Sequence, residues 1–443
     1  MSIASPKAAA SMGGHDVTTP TFAEALRVWL KIGLLSFGGP AGQIALMHKV
    51  LVDEKKWIDE PRYLSALNFC MLLPGPEAMQ LATYVGWRLH GLKGGLAAGL
   101  LFVIPGALVV LALSIAYAAF GKLPLAEALF IGVKAAVLAI VVEALLRVAK
   151  RALKGNLDWI IAGAAFVAIF AFQVPFPIIV LAAALFGLWR GRGLKPPANA
   201  SAIATVPFGQ TVRTVSIWLV IWFAPLLGLA SFFGVDHVLA KLALFFSKLA
   251  IVTFGGAYAV LAYMAQDVVQ TYGWLQPGEM LDALGLAETT PGPLILVTEF
   301  VGYVAAHRYG GWSAIPMGIL GALVALWATF APCFLWIFAG APYIERLNSE
   351  PRLKSALAAV TAAVVGVILN LTVWFALNVL FKQLAKVNAW PLSLELPVLA
   401  SADLRAVALA VLAFVLLFAL HRGIITTLAI CGGLAVAWHF VGA

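Results

Sequence analysis

Long runs of apolar residues, separated by few charged ones, constrain this chain more than any other feature of its sequence. Of the 443 residues, 63% are hydrophobic and 11% are charged, so charged side chains are too few to cover a water-facing surface. A membrane-spanning helix needs about 20 apolar residues, which leaves room for roughly ten to thirteen such segments. The sequence therefore predicts an all-α polytopic membrane protein embedded in a lipid bilayer.

Motifs for common enzyme and nucleotide chemistries are missing from the sequence. GxxxxGK[ST], HExxH and GxSxG do not occur, so ATP-driven pumping, zinc proteolysis and serine hydrolysis have no support. Cys70, Cys333 and Cys431 lie far apart in apolar stretches and predict neither a disulfide framework nor a metal site. We predict a protein that is not an enzyme and has no catalytic residue, metal or cofactor. Its net charge of +9 is interpreted through membrane topology, without a nucleic-acid partner.

Short breaks rich in glycine and proline interrupt the apolar runs. Gly-Gly-Pro stands at 38–40 and Pro-Gly-Pro at 74–76, and the helices predicted on either side of each break are about 15 residues long. A helix of that length spans ~22 Å, whereas the hydrocarbon core of a bilayer is ~30 Å thick. We therefore expect re-entrant hairpins or broken helices, which require a protein-lined or wet cavity at membrane depth.

The second half of the chain repeats the first. A shift of 217 residues aligns residues 22–76 with residues 239–293 without a gap, and 15 of the 55 positions are identical. The identities include Phe-Gly-Gly, Pro-Gly-Pro, lysine and tryptophan, which chance matching in an Ala/Leu-rich chain does not favour. The predicted parts are a polar tail (1–21), a first repeat (22–190), a cytoplasmic linker (191–213), an orientation-reversing helix (214–236) and a second repeat (237–443).

The single helix between the repeats predicts that they have opposite orientations. Each repeat returns to the side of the membrane on which it starts, so one further crossing inverts the second. This arrangement places the basic clusters at 147–154, 190–213 and 346–354 on one side, as the excess of Lys and Arg in cytoplasmic loops requires. Residues 1–21 lack the features of a signal peptide, and the N-terminus is predicted to be cytoplasmic. Inverted repeats with paired broken helices are typical of transporters with a midplane site.

The paired breaks have the chemistry of an anion site. Consecutive glycines at 38–39 and 255–256 permit close backbone approach and expose amide groups. The last proline of each Pro-Gly-Pro starts a helix whose N-terminus carries partial positive charge. The alternative is structural, with glycines that allow close helix packing and kinks whose freed backbone groups bond to nearby polar side chains.

Two lysines share the repeat pattern, because each precedes a diglycine. Lys31 and Lys248 are either ligands of the anion or lysines whose ammonium groups reach the membrane surface. The predicted substrate-binding residues are Lys31, Ser36, Gly38, Gly39, Gln43, Gly75, Gln80, Lys248, Thr253, Gly255, Gly256, Thr289, Thr290 and Gly292.

Carboxylates at membrane depth give a further group of candidates. Glu77 and Glu288 each lie close to a Pro-Gly-Pro break, where a buried carboxyl can be tuned to exchange a proton, so both are candidates for proton coupling. Glu143 and Arg147 have the i,i+4 spacing and the acid-first order of a structural ion pair.

Four stretches resemble the chromate ion transporter family in its long, two-domain form. They are 36–47 (SFGGPAGQIALM), 73–87 (LPGPEAMQLATYVGW), 253–258 (TFGGAY) and 289–293 (TTPGP). The resemblance covers both halves, and it implies export of chromate across the inner (plasma) membrane of a bacterium and resistance to chromate. Sulfate, which has the same charge and tetrahedral shape, is the expected competitor. A second copy of the chain, forming a homodimer, is a further candidate partner.

Two other functions stay open at this level. Another tetrahedral oxyanion such as sulfate or molybdate could be the substrate, because the motifs do not separate dianions of one shape. An integral membrane enzyme acting on lipid phosphates would also use helix N-termini and amides, but the His, Asp and Arg constellation that such chemistry needs is missing.

Overall fold

The computed structural model describes residues 20–37, 39–193, 207–254, 257–344, 347, 350–389 and 392–441. Most of them form helices, as the apolar runs predict. The helices of the first half are α1 (Phe22–Leu35), α2 (Gly39–His48), α3 (Glu60–Leu72), α4 (Glu77–Phe120), α5 (Pro124–Ala152), α6 (Asn156–Phe172) and α7 (Phe176–Arg190). Those that follow are α8 (Phe208–Phe233), α9 (Val238–Val252), α10 (Ala257–Gln266), α11 (Pro277–Thr289), α12 (Val297–Tyr309), α13 (Ala314–Gly340), α14 (Pro351–Leu380), α15 (Leu404–Phe414) and α16 (Ile424–Val441).

Within the described residues, seven helices are long and apolar enough to cross a membrane. They are α4, α5, α7, α8, α13, α14 and α16, some extended by a short 3₁₀ turn. Composition alone suggests more, because much of the apolar sequence lies in helices of 10 to 15 residues such as α2, α3 and α9. At 1.5 Å per residue these helices reach only half to three quarters of the hydrocarbon thickness. The fold is that of an all-α multi-pass membrane protein.

The two halves adopt the same local structure around their breaks. The bounds of α3 and α11 differ by 217 residues at both ends, which is the shift found in the sequence. A π-helical turn follows α2 at Lys49–Glu54, and another follows α10 at Asp267–Thr271. The backbone conformation of these elements therefore agrees with the sequence shift, while the two whole repeats and their inverted orientation stay predictions.

One compact unit comprises residues 1–112, 194–257 and 290–351. In it α13 packs against α8, α9 and α12. The α12 and α13 pair is close because glycines face each other, and a methyl group on Gly302 would lie 2.5 Å from the Gly321 carbonyl oxygen. Within α4, His90 and Gly91 leave the helical conformation, and Gly86 and Gly94 meet across this bend in the same way. Small residues thus permit backbone contact, as in other membrane helix pairs.

The other unit comprises residues 113–193, 258–289 and 352–443. Its central helix is α5, which packs against α11, α15 and α16. An antiparallel hairpin of β1 (Leu384–Ala389) and β2 (Leu392–Pro397) follows α14, with Lys386 and Glu395 3.5 Å apart across it. This hairpin is absent from the sequence-based expectations, although the alternation of apolar and polar residues in β2 is the pattern of a half-buried strand.

Helix α8 begins at Phe208, before the start at 214 that the sequence suggested. Pro207 stands just before the first turn, where a proline is well tolerated. Half of the helix is exposed, including large apolar side chains such as Phe208 (81% exposed) and Phe232 (75%), and only Trp218, Trp222 and Leu226 are buried. An exposed apolar surface of this kind is suited to contact with lipid.

Gly33 gives a test of the packing in the first unit. A methyl group there would lie 2.1 Å from the Leu101 carbonyl oxygen, so Gly33→Ala should lower the unfolding free energy by about 1 to 3 kcal/mol. Gly163 is also helical but has no atom within 4 Å of an added methyl group. Thermal unfolding in detergent should show a lower melting temperature than wild type for Gly33→Ala and an unchanged melting temperature for Gly163→Ala. Equal melting temperatures would contradict the close contact of α1 with α4.

Candidate functional site

The two kinds of break meet within the first unit through a pair of crossed hydrogen bonds. The amide of Gly75 donates to the carbonyl oxygen of Thr253 over 2.9 Å, and the amide of Gly292 donates to that of Ser36 over 2.8 Å. Both donors and both acceptors are related by the 217-residue shift. Each Pro-Gly-Pro break is therefore joined to the residue that ends the helix before the diglycine of the opposite half.

Backbone conformation explains why glycine occupies the middle of each Pro-Gly-Pro. Gly75 has φ +117° and Gly292 has φ +91°, a region that L-residues rarely adopt. Helices α1 and α9 end in the same way as each other. The Ser36 hydroxyl donates to the Ile32 carbonyl, and the Thr253 hydroxyl donates to the Leu249 carbonyl. These hydroxyls bond back to the last turn of α1 and α9, which ends the helix beside the break.

Two buried glutamines support the breaks without a counterpart in the other half. The Gln43 Nε2 group donates to the Gly292 carbonyl oxygen over 2.6 Å. The Gln80 Nε2 group donates to the Pro74 carbonyl oxygen over 2.7 Å, and its Oε1 has no partner among the described residues. The 217-residue shift places valine opposite both glutamines. The two halves of the site therefore differ chemically although their backbones correspond.

Helices α4 and α13 pack directly over the two breaks. A methyl group on Gly106 would lie 2.2 Å from the Pro291 carbonyl oxygen, and one on Gly75 would lie 3.1 Å from the Cys333 sulfur. These close contacts leave little free space at the break backbone, so the breaks are rigidly held in this conformation.

Most of the predicted anion donors have partners within the protein. Backbone carbonyl groups accept hydrogen bonds from the amides of Gly75 and Gly292, the hydroxyls of Ser36 and Thr253, and the side-chain amides of both glutamines. The Thr289 hydroxyl donates to the Leu286 carbonyl. Thr290 is buried, and Gly39 is partly buried and begins α2 with φ +71°. An anion held in this conformation would depend on the helix N-termini, and use of the glycine amides would require the crossed bonds to open.

Three predicted residues lie outside the described part of the chain, and two others are exposed. The first group is Gly38, Gly255 and Gly256. Lys31 and Lys248 are both exposed on their helices, α1 and α9, each about one and a half turns before the residue that ends the helix. Contact of either ammonium group with a dehydrated ion would need a different conformation.

The predicted carboxylates have different surroundings. Glu77 is partly buried at the start of α4. In the second unit Glu288 is buried and accepts a 2.9 Å hydrogen bond from the Tyr258 hydroxyl. Glu143 and Arg147 form an ion pair of 2.5 Å, and their charges act on Glu288. The pair thus adjoins a predicted site residue, which spacing along one helix did not reveal.

Two buried acidic groups were missed by the sequence analysis. Asp282 accepts from Lys134 over 3.0 Å and from the Tyr117 hydroxyl over 2.8 Å in the second unit. Glu299, in the first unit, is 1% exposed. Both could have been found by treating every ionisable residue inside an apolar helix as functional by default. In the residues that the structure covers, no cluster of three His, Cys, Asp or Glu side chains is arranged to hold a metal ion.

Comparison with known proteins identifies the family of this chain. The family profile described as Chromate transporter matches residues 23–188 and 240–437. The chain is 32% identical over 378 residues to a chromate transport protein of Pseudomonas aeruginosa, covering 83% of this chain and 86% of that one. It is 31% identical over 373 residues to a chromate transport protein of Cupriavidus metallidurans, covering 82% and 84%. No solved structure is significantly similar. The chain belongs to the chromate transporter family.

Proposed function

We propose that this protein is a secondary transporter that exports chromate from the cytoplasm and thereby confers resistance to chromate. The observation that carries the proposal is the pair of crossed hydrogen bonds from the Pro-Gly-Pro breaks to Ser36 and Thr253, in a chain whose relatives are chromate transport proteins. Helix breaks that meet at a buried polar site are the usual construction of a transporter's substrate site.

The site suits a dianion because it offers partial positive charge without a fixed buried cation. Helices α2 and α4 begin at Gly39 and Glu77, beside the two kinds of break, and a helix N-terminus is equivalent to about half a positive charge. Chromate and sulfate carry two negative charges over four oxygens, so they gain more from such donors than a monoanion does. The crossed bonds exchange partners when the anion enters and leaves.

Export follows the membrane potential. With the cytoplasm negative, outward movement of a dianion releases ~4.6 kcal/mol per 100 mV, at ~2.3 kcal/mol per elementary charge. Export in this direction needs no ATP. We place the protein in the bacterial inner membrane with a cytoplasmic N-terminus and inverted repeats, as the distribution of basic loops predicts.

Competition between anions tests this proposal. Uptake of labelled chromate into inside-out vesicles should be inhibited by excess sulfate and only weakly by perchlorate, which has similar size and half the charge. The comparison should be made at constant ionic strength, because screening alone weakens surface attraction. Equal inhibition by both anions would mean that the site discriminates by size rather than by charge, and would count against a dianion transporter.

The exposed lysines give a prediction of a different kind. We expect Lys31→Gln and Lys248→Gln each to raise the KM for chromate by less than about fivefold, with an unchanged maximal rate, because an exposed charge attracts an anion without holding it when dehydrated. Lys241→Gln is the matched control, since Lys241 is exposed on the same helix as Lys248 but a turn or two farther from the break. A KM raised a hundredfold by either test variant would instead make that lysine a direct ligand.

A further inference from the structure

Glu299 is an acidic side chain buried in the interior of the first unit. It lies in the first turn of α12, six residues after Pro293, and is 1% exposed. Among the described residues, its Oε2 atom has no hydrogen-bond partner and no basic side chain forms an ion pair with it. This carboxyl group is therefore enclosed in protein without a compensating charge.

The elements packed around Glu299 supply no cation. Helix α13 contains no Asp, Glu, Lys, Arg or His, and its one titratable residue is Cys333. The two lysines of α9, Lys241 and Lys248, are exposed. Helix α4 touches Leu296 through Gly106, and its nearest charged residue on that side of the bend, Lys93, is exposed and about 20 Å away along the helix.

Other titratable groups of α12 lie farther along the helix. Tyr303, one turn after Glu299, has a buried hydroxyl without a partner in the described structure. His307 and Arg308 occupy the last turn, partly buried and exposed respectively, about 12 Å from Glu299 along the axis. Full positive charge on α12 is therefore found only at its far end, while the helix N-terminus beside Glu299 contributes a partial positive charge that is smaller than the cost of burying a carboxylate.

Other buried acids in the described residues are compensated. Glu288 has the Tyr258 hydroxyl and the nearby charge of Arg147, and Asp282 has Lys134 and Tyr117. A carboxylate without such partners is far more costly to bury than a neutral carboxylic acid, because the charge loses its hydration. Glu299 in this conformation is consequently neutral.

We propose that Glu299 carries a proton with the transported dianion, and that it exchanges this proton in a conformation open to water. This inference rests on the proposed oxyanion transport. A dianion at the breaks repels a carboxylate nearby and so favours its protonated form, which means that proton and dianion are loaded together and travel in the same direction.

A short series of contacts connects Glu299 to the breaks. The hydroxyl of the adjacent Thr298 lies 3.5 Å from that of Thr329 on α13. The Thr329 carbonyl accepts from the Cys333 thiol, whose sulfur is also the atom that packs against Gly75. The 217-residue shift places Ala82 opposite Glu299. Only the second half therefore holds an acid at this position.

Proton movement in proteoliposomes tests the inference. A pH-sensitive dye is enclosed, the membrane potential is clamped, and labelled chromate is added outside. The wild-type protein should acidify the interior as chromate enters. Glu299→Gln should carry chromate without acidification, whereas Glu299→Asp, which keeps the acid, should retain it. The matched control is Glu127→Gln, which removes an exposed acid on α5 and should behave as wild type.

Infrared spectroscopy gives a second readout that does not depend on transport. The wild-type protein at neutral pH should show the absorption of a protonated carboxyl group, and this absorption should be missing from Glu299→Gln. Three results would overturn the inference and leave the proposed function standing. They are chromate uptake by the wild type without acidification, chromate uptake by the wild type with alkalinisation, and acidification that persists in Glu299→Gln. Absence of any chromate uptake by the wild-type protein would overturn the proposed function. Independently of uptake, an infrared band that is unchanged in Glu299→Gln would show that Glu299 is not protonated and would overturn the inference.

Discussion

Replacing Gly292 by alanine is expected to abolish chromate transport while the protein still reaches the membrane. Gly292 has φ +91°, where an L-residue costs roughly 1 to 2 kcal/mol. Its added methyl group would also lie 2.9 Å from the Leu296 side chain and 3.3 Å from the Gly106 backbone. The least costly relief is a shift of the break that separates the Gly292 amide from the Ser36 carbonyl. The shift would break the crossed hydrogen bond and change the orientation of the helix that follows the break.

Gly311 provides the matched control for this substitution. It has φ +75° but no atom within 4 Å of an added methyl group, so Gly311→Ala carries the backbone strain without the steric clash. Chromate uptake per molecule of membrane protein should fall at least tenfold in Gly292→Ala and by less than twofold in Gly311→Ala. Full uptake in Gly292→Ala would show that the break is a packing device with no part in transport.

Removing the amide of Gln43 should have the second largest effect. Gln43→Leu replaces the amide side chain by an apolar one of similar size and leaves the buried Gly292 carbonyl without its donor. An unsatisfied buried acceptor costs about 1 to 3 kcal/mol, so the population of the arrangement shown by the structure should fall by roughly one to two powers of ten. We expect a reduced maximal rate of chromate transport together with a lower melting temperature.

Gln266→Leu is the comparison for the Gln43 variant. The Gln266 amide donates to Gln173 at the surface over 3.1 Å, where water replaces a lost partner, so its removal should change melting temperature and transport little. If both substitutions have the same effect, the Gln43 contact contributes no more than a surface hydrogen bond and does not hold the break.

The sequence predicts the fold class and the breaks well because both depend on local physics. Proline and glycine impose the breaks wherever they stand, and the 217-residue shift found in the sequence reappears in the bounds of α3 and α11. The pairing of Gly75 with Thr253 and of Gly292 with Ser36 could not be derived in this way. It is set by the packing of segments far apart in the chain, which a single sequence does not encode locally.

Side-chain roles were harder to derive than backbone breaks. Repetition selects Lys31 and Lys248, yet both are exposed, because symmetry in sequence does not determine which face of a helix is covered. The same emphasis on repetition passed over Glu299, because the 217-residue shift places Ala82 at its position in the first half. The proposed roles of Gln43 and Glu299 fall at positions where the two halves differ, which repetition alone does not select.

Transport of chromate itself is the most direct test of this account. Inside-out vesicles containing equal amounts of wild-type or Gly292→Ala protein should be given labelled chromate, with the vesicle interior made positive to reproduce the potential that drives export. The account predicts uptake by the wild-type vesicles that increases with the imposed potential and is suppressed by sulfate, and background uptake by the variant. Wild-type uptake at the level of the variant, at every potential, would contradict it.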